Sequence, residues 1–395
     1  MAQADKVLRG RVVTPYQVFG DGVIIVRGER LVYVGKPGDL PIELSTTELP
    51  ERGGVLLPGL VDIHCHGGGG HTLVTGDVAE SRAATAHHHR AGTTSVVASL
   101  VSAPGEELVN QVRALSPLVN RGELAGLHVE GPFLSHRRRG AHDARFLREP
   151  DTQLVEALTT AADGAIKHMT IAPELRGADE VVAALSAAGV VAAFGHSDAD
   201  YDTFIAALRN RTGGALVTHL ANGMPPVHHR SPGPVAATLV ELAAGGATTE
   251  LIADGTHVSD GFVALVFATT PSASDNIVLV TDATAAAGMP DGEYALGAQK
   301  VLVREGVARL QPAGRTSGLS SLAGGTASLL EVVRRVVERT GVDLVDAVRA
   351  ASHSPARVLG LADVGALEAG RRADVLLVDD DLGLQGVMRA GEWIG

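Results

Sequence analysis

Hydrophobic and polar positions change rhythm along the chain. Residues 1 to about 55 carry short apolar, β-branched runs, Gly10–Thr14, Gly22–Val26 and Leu31–Gly35, set apart by Gly, Pro and Asp. Such runs read as strands of a small sheet. From Leu56 onward, apolar runs of strand length alternate with Ala-rich stretches of helical period, such as Val78–Ala91 and Ala178–Ala188. The strand candidates are 56–65, Thr93–Ser99, Leu124–Glu130, Ile166–Ala172, Val190–Gly195, Ala215–His219, Thr248–Ala253 and Asn276–Thr281. Eight strand–helix units predict an α/β chain built as a (β/α)8 TIM-like barrel, whose functional residues gather at the C-terminal ends of the strands. Beyond the eighth strand, Asp291–Leu310 reads as a β-hairpin turning at Glu305-Gly306, followed by helices over Ala327–Thr340 and Leu344–Leu359. Gly365–Gly395 returns to short strands, notably Ala373–Val378. Neither terminal segment can bury a core alone. The pattern therefore predicts one small β-sandwich domain from 1–55 plus 360–395, joined to a barrel over 56–359.

Composition sharpens this picture. The chain has 395 residues, 45% hydrophobic but only 3% aromatic, so its core is made of Val, Ile, Leu and Ala. That suits parallel strands covered by helices on both faces. A net charge of −12 argues against a nucleic-acid partner or an anionic membrane surface. The single cysteine, Cys65, rules out an intrachain disulfide and is expected to be a small buried residue on the strand face opposite its histidine neighbours. Met1–Lys6 is polar, and the longest uncharged run, Val181–Ser197, is interrupted by Gly189 and Gly195. It falls short of the roughly 20 apolar residues of a membrane span. A cytoplasmic location is the expectation.

The candidate chemistry lies at the strand ends. His64 and His66 end the first strand candidate with spacing i, i+2, which presents both imidazoles on one face. Glu130 ends the third, His196 the fifth, His219 the sixth, Asp254 and His257 follow the seventh, and Asp282 ends the eighth. Imidazole and carboxylate are ligands for zinc and similar cations. The set exceeds what one four-coordinate ion needs. Two ions bridged by Glu130 is the natural arrangement, and one ion held by Glu130, His196 and His219 the minimal one. Such an ion brings the pKa of bound water from 15.7 to about 7, and a neighbouring carboxylate can shuttle its proton. Asp282 is the expected general base, and the reaction class is metal-assisted hydrolysis. His87, His88 and His89 run consecutively along a helix and share no face; His71, His168 and His353 lack a comparable setting.

These motifs together resemble the amidohydrolase superfamily and, within it, the N-acetylglucosamine-6-phosphate deacetylase family. The resemblance rests on Pro58–Gly67, on His128-Val129-Glu130-Gly131-Pro132-Phe133, Gly140-Ala141-His142, Ala172-Pro173-Glu174 and Gly195-His196-Ser197. It continues through Thr218–Met224, Arg230-Ser231-Pro232-Gly233, Ala253–Val258, Thr281-Asp282-Ala283 and Ala373-Asp374. Lys167 lies at the wrong end of the fourth strand to serve as a carboxylated bridging lysine, which leaves Glu130 for that role. The resemblance implies a principal metal on Glu130, His196 and His219, with His64, His66 and Asp282 allowing a second. The ion would be zinc, or iron, cobalt or manganese. Asp282 would act as base and then acid in deacetylating N-acetylglucosamine 6-phosphate to glucosamine 6-phosphate and acetate. His142, Asn222, Gly223, His257 and Arg230 match substrate-binding positions, with Arg230 reaching across a homodimer interface. Ala221 and Gly223 depart from the family's usual aromatic and alanine, so an N-acetylgalactosamine 6-phosphate deacetylase is the alternative, and a non-catalytic scaffold of the same fold a more distant one. The basic loop Ser135–Gly140 is expected to form a mobile lid that attracts the anionic substrate.

Overall fold

A computed structural model of the chain describes residues 5–210, 215–271, 274–311 and 320–395. Eight parallel strands follow one another in chain order: Leu60–Cys65, Thr93–Leu100, Gly126–Glu130, Ile166–Ile171, Val191–Phe194, Ala215–Val217, Ala247–Leu251 and Ile277–Leu279. Closure of the ring falls on residues just past the first and last strands. Cys65 bridges Ala283, the Asp282 amide donates to the His64 carbonyl at 2.9 Å, and the His66 amide donates to the Ala283 carbonyl at 2.7 Å. The barrel expected from the alternation is present strand for strand.

Outward residues of these strands, among them Leu127, Val129, Met169, Ile171 and Phe194, pack with helix residues such as Leu108, Leu115, Leu158 and Leu185 in one buried cluster. Alternation along each strand then turns the intervening residues inward. The helices begin and end where side chains satisfy unpaired backbone groups. The Asp77 carboxylate accepts from the Ala79 and Glu80 amides at the start of Val78–Arg90. Helix Leu329–Thr340 opens on a Ser328/Glu331 capping box and stops at Gly341, with φ at 75°.

Three sequence expectations are corrected. The run 56–65 is two strands. Val55–Pro58 belongs to the terminal sheet and Leu60–Cys65 to the barrel. Gly59 separates them because a Cβ there would lie 2.1 Å from the Thr94 hydroxyl. The stretch 344–359 is two helices, Leu344–Ala350 and His353–Val358. The break places Pro355 in a first turn, where its missing N–H leaves no bond unmade. The insertion after the eighth strand is a three-stranded antiparallel sheet, Gly292–Leu296, Gln299–Arg304 and Val307–Leu310. Its Glu305-Gly306 turn is where the sequence put it.

Segments from both ends of the chain meet in a separate sheet, as expected. Its seven strands form one continuous ladder in the order Glu392–Ile394, Leu384–Arg389, Val375–Val378, Val55–Pro58, Lys6–Val13, Val18–Arg27, Arg30–Gly35. Val12, Ile24, Leu31, Leu56, Val375 and Met388 share its core. Among the described residues, no helix is long and apolar enough to cross a membrane.

Candidate metal centre

Glu130 stands at the centre of the C-terminal end of the barrel. Its Oε1 lies 3.0 Å from His196 Nε2 and 3.1 Å from His219 Nε2. Its Oε2 lies 3.3 Å from His66 Nε2, 3.3 Å from His142 Nε2 and 3.6 Å from His64 Nε2. Asp282 Oδ1 completes the ring, 3.1 Å from His66 Nε2 and 3.6 Å from His64 Nε2. The six expected ligands thus fall into two triads, Glu130/His196/His219 and His64/His66/Asp282, each with its ligand atoms within 4.8 Å of one another. One Glu130 oxygen faces each triad.

Backbone conformation helps aim these side chains. His196, His219 and Asp282 have φ of 48°, 27° and 49°. A left-handed conformation in a non-glycine residue costs on the order of 1–3 kcal/mol and gathers at functional sites. Here it turns the chain sharply out of three different strands so that their side chains meet.

Hydrogen bonding to the far side of three of the four rings shows that the donor set fits a cation; the fourth, His219, has its Nδ1 buried without a partner. His64 Nδ1 donates to Glu250 Oε2 at 2.9 Å, His66 Nδ1 to the Ser99 carbonyl at 3.0 Å, and His196 Nδ1 to the Arg138 carbonyl at 2.7 Å. With the proton on Nδ1, each Nε2 presents a lone pair inward. His64 and His66 bring two such nitrogens within 3.2 Å, and His219 Nε2 lies 3.0 Å from that of His196. Lone pairs that face each other across 3 Å repel unless a proton or a cation sits between them. Electrostatics makes the same point. Burial opposes charge here. Even so, Glu130, Glu250 and Asp282 hold the His64 imidazolium well above its usual range, and His66 is raised to about 9 by Asp282 and Glu130. Burial raises the Asp282 carboxyl, but His64 and His66 outweigh it and hold it down at about 2. The carboxylates that favour positive charge on these rings would favour a metal ion between them in the same way.

A cavity of about 300 Å³ opens above these groups. His66, Glu130, His142, His196, His219, Asn222, Gly223, His257 and Asp282 line it, and His64 is buried beneath. His257 is oriented by Asp254, whose Oδ2 accepts from its Nδ1 at 2.8 Å. Burial disfavours the His257 cation, but this carboxylate outweighs burial and raises its pKa. Arg230 sits on an exposed loop and does not line the cavity of its own chain.

The basic loop differs from the expected lid. The Ser135 amide donates to the His196 carbonyl at 3.0 Å, and Arg138 holds His196 from the other side. The Arg137 and Arg138 side chains both pair with Asp198. Their guanidinium groups are tied beside the fifth strand and do not line the cavity.

Sequence reasoning missed several contributors. Glu250 and His168 are fully buried inside the barrel, and His168 stacks on His128 with ring centroids 3.9 Å apart. A carboxylate within the short strand Ala247–Leu251 was the available signal, since a buried charge needs a partner. The insertion supplies Leu296, Ala298 and Gln299 to the cavity wall. Cys65 behaves as expected. It turns away from the site toward His88 on the first helix, and burial pushes its thiol up.

A family model described as the amidohydrolase family matches residues 55–394. The chain is 34% identical to N-acetylglucosamine-6-phosphate deacetylase of Lysinibacillus sphaericus over 87% of its own length and 86% of the relative's. It is also 34% identical to N-acetylgalactosamine-6-phosphate deacetylase of Escherichia coli O157:H7, over 89% and 90% of the two chains. Among solved structures, a mutant N-acetyl-D-glucosamine-6-phosphate deacetylase from Mycobacterium smegmatis, in complex with N-acetyl-D-glucosamine-6-phosphate, is similar. It matches with a TM-score of 0.90 and 38% identity over 99% of both chains.

Proposed function

Because this chain belongs to the amidohydrolase family, we propose that it hydrolyses the acetamide of an amino-sugar phosphate, N-acetylglucosamine 6-phosphate in the first place, to glucosamine 6-phosphate and acetate. The observation that carries this reading is the convergence of five imidazole Nε2 atoms on the two oxygens of Glu130, with Asp282 beside them under an open cavity.

Glu130, His196 and His219 would hold one divalent ion, and His64, His66 and Asp282, with the second Glu130 oxygen, another. Zinc suits these nitrogen and carboxylate donors. Such an ion, when bound, supplies a nucleophilic hydroxide at neutral pH and polarises the substrate carbonyl. Asp282 takes the proton of the attacking water and hands it to the departing sugar nitrogen, which leaves as an amine once the C–N bond breaks. His142 lies beside the reacting end of the cavity, 3.3 Å from Glu130. Asn222, the Gly223 backbone and His257 line the wall that would orient the sugar phosphate. His257 is aimed by Asp254, whose carboxylate favours the imidazolium form that suits a phosphate. In this reading Arg230 serves the active site of a second copy in a homodimer, which matches its exposed position.

The test is acetate release from N-acetylglucosamine 6-phosphate by metal-loaded protein, beside the unphosphorylated sugar, the galacto isomer and Asp282→Asn. Phosphate-dependent turnover that collapses in the variant is the expected result. Absence of turnover on either phosphorylated sugar would overturn the proposal. Preference for the galacto isomer would favour the second reading, which the Escherichia coli relative and the small Ala221 on the cavity wall support.

A further inference from the structure

Glu250 touches both halves of the metal centre without lining the cavity. It is fully buried on the seventh strand. One oxygen, Oε2, accepts from His64 Nδ1 at 2.9 Å and from the His219 backbone amide at 3.1 Å. The other, Oε1, makes no hydrogen bond. Three ligand rings have their Nδ1 protons held, and two of these go to backbone carbonyls, those of Ser99 and Arg138. Only His64 is held by a carboxylate. A neutral carbonyl suffices to fix a tautomer, as His66 and His196 show. A buried carboxylate costs several kcal/mol in desolvation and is retained where its charge acts on a partner. Its effect on an imidazole is to raise the donor strength of the opposite nitrogen.

We infer that Glu250 is the positioning residue that sets the affinity of the His64/His66/Asp282 half of the centre for its ion. This rests on the two-ion reading above. Glu250 orients His64 Nε2 and strengthens it as a donor, so the second ion is held by a ring that is charge-assisted from behind. The first half relies on Glu250 only for a hydrogen bond to the His219 amide, which an uncharged acceptor can make equally well.

Glu250→Gln separates charge from shape, because its amide oxygen can still accept from His64 and from the His219 amide. The experiment titrates zinc and cobalt ions into chelator-treated, full-length protein. Calorimetry and the visible absorption of cobalt report each binding step, and mass spectrometry the final metal content. Wild type is expected to take two ions. Glu250→Gln is expected to take the first with unchanged affinity and the second about 10–100-fold more weakly. His64→Asn should lose the second ion as well, and adding Glu250→Gln to it should weaken nothing further. Unchanged binding of both ions, or equal weakening of both, overturns the inference, the latter by assigning Glu250 a general structural role. A wild-type protein that binds a single ion overturns the two-ion reading and this inference with it, and the wild-type stoichiometry tells the two failures apart.

Discussion

At the N-terminal end of the barrel, where the terminal sheet docks, Asp374 is 3% exposed and accepts from the Arg372 guanidinium, the Thr94 hydroxyl and the Ala390 amide. Arg389 beside it donates to the carbonyls of Thr94 and Gly122. At the C-terminal end, buried carboxylates and imidazoles face one another, with ring nitrogens directed at ring nitrogens and at carboxylate oxygens. Both ends bury ionisable groups, yet the first has its donors matched to acceptors and the second does not. A closed network locks two domains together; an open one is left for a proton or a cation to complete. The difference teaches that a buried polar cluster is read by the direction of its lone pairs, not by its number of charged residues.

Substitutions at either end test that contrast. Asp282→Asn, at the open end, should lower kcat by about 10²–10⁴-fold, the range for losing a general base. Steady-state kinetics with circular dichroism checks this, and an unfolded variant would void the contrast. Asp374→Ala, at the closed end, removes the acceptor of the half-buried Arg372, the Thr94 hydroxyl and the Ala390 amide, and should lower unfolding stability by about 1–3 kcal/mol. Denaturant titration reads the loss, and metal content should match wild type. If metal is lost as well, the two ends are not independent. Chelation should act only on the open end. It should abolish turnover and lower Tm, with about 2.7 kcal/mol of stability returning when zinc is supplied at 100 times its Kd.

The smallest effect concerns pH. His257 has a raised pKa, so its pair with Asp254 contributes stability that is complete below the unfolded value near 6.5 and fades as pH climbs through the folded value. Substrate phosphate favours the same charged form. KM should rise severalfold as pH passes through that value, and His257→Gln should flatten the profile. A flat wild-type profile would remove His257 from phosphate binding.

Much of this was legible because parallel strands in a barrel all end on one side. A histidine or acid at the end of an apolar run therefore had one place to go, and the six candidate ligands are brought together there as their positions implied. What sits inside the barrel was harder to read. Glu250 and His168 interrupt strands instead of ending them, and their significance depends on which residues lie across the barrel. The division at Gly59 was hidden for a similar reason, since Thr94 and Asp374, which forbid a side chain there, are remote in sequence. The insertion offered strand signals but nothing to show that it would lean over the cavity.

The seam between the first and eighth strands has a consequence for how the protein is made. The His64 carbonyl pairs with the Asp282 amide, and the Thr281 hydroxyl with an Asp62 carboxylate 219 residues earlier in the chain. Contacts at such separation form late, because the intervening chain must be ordered before they bring any gain. The same seam brings His64 and His66 to Asp282. A nascent chain that has emerged from the ribosome only through its sixth strand already contains Glu130, His196 and His219, but not Asp282, the carboxylate proposed to transfer the proton. In the proposed mechanism, catalytic competence therefore waits for ring closure.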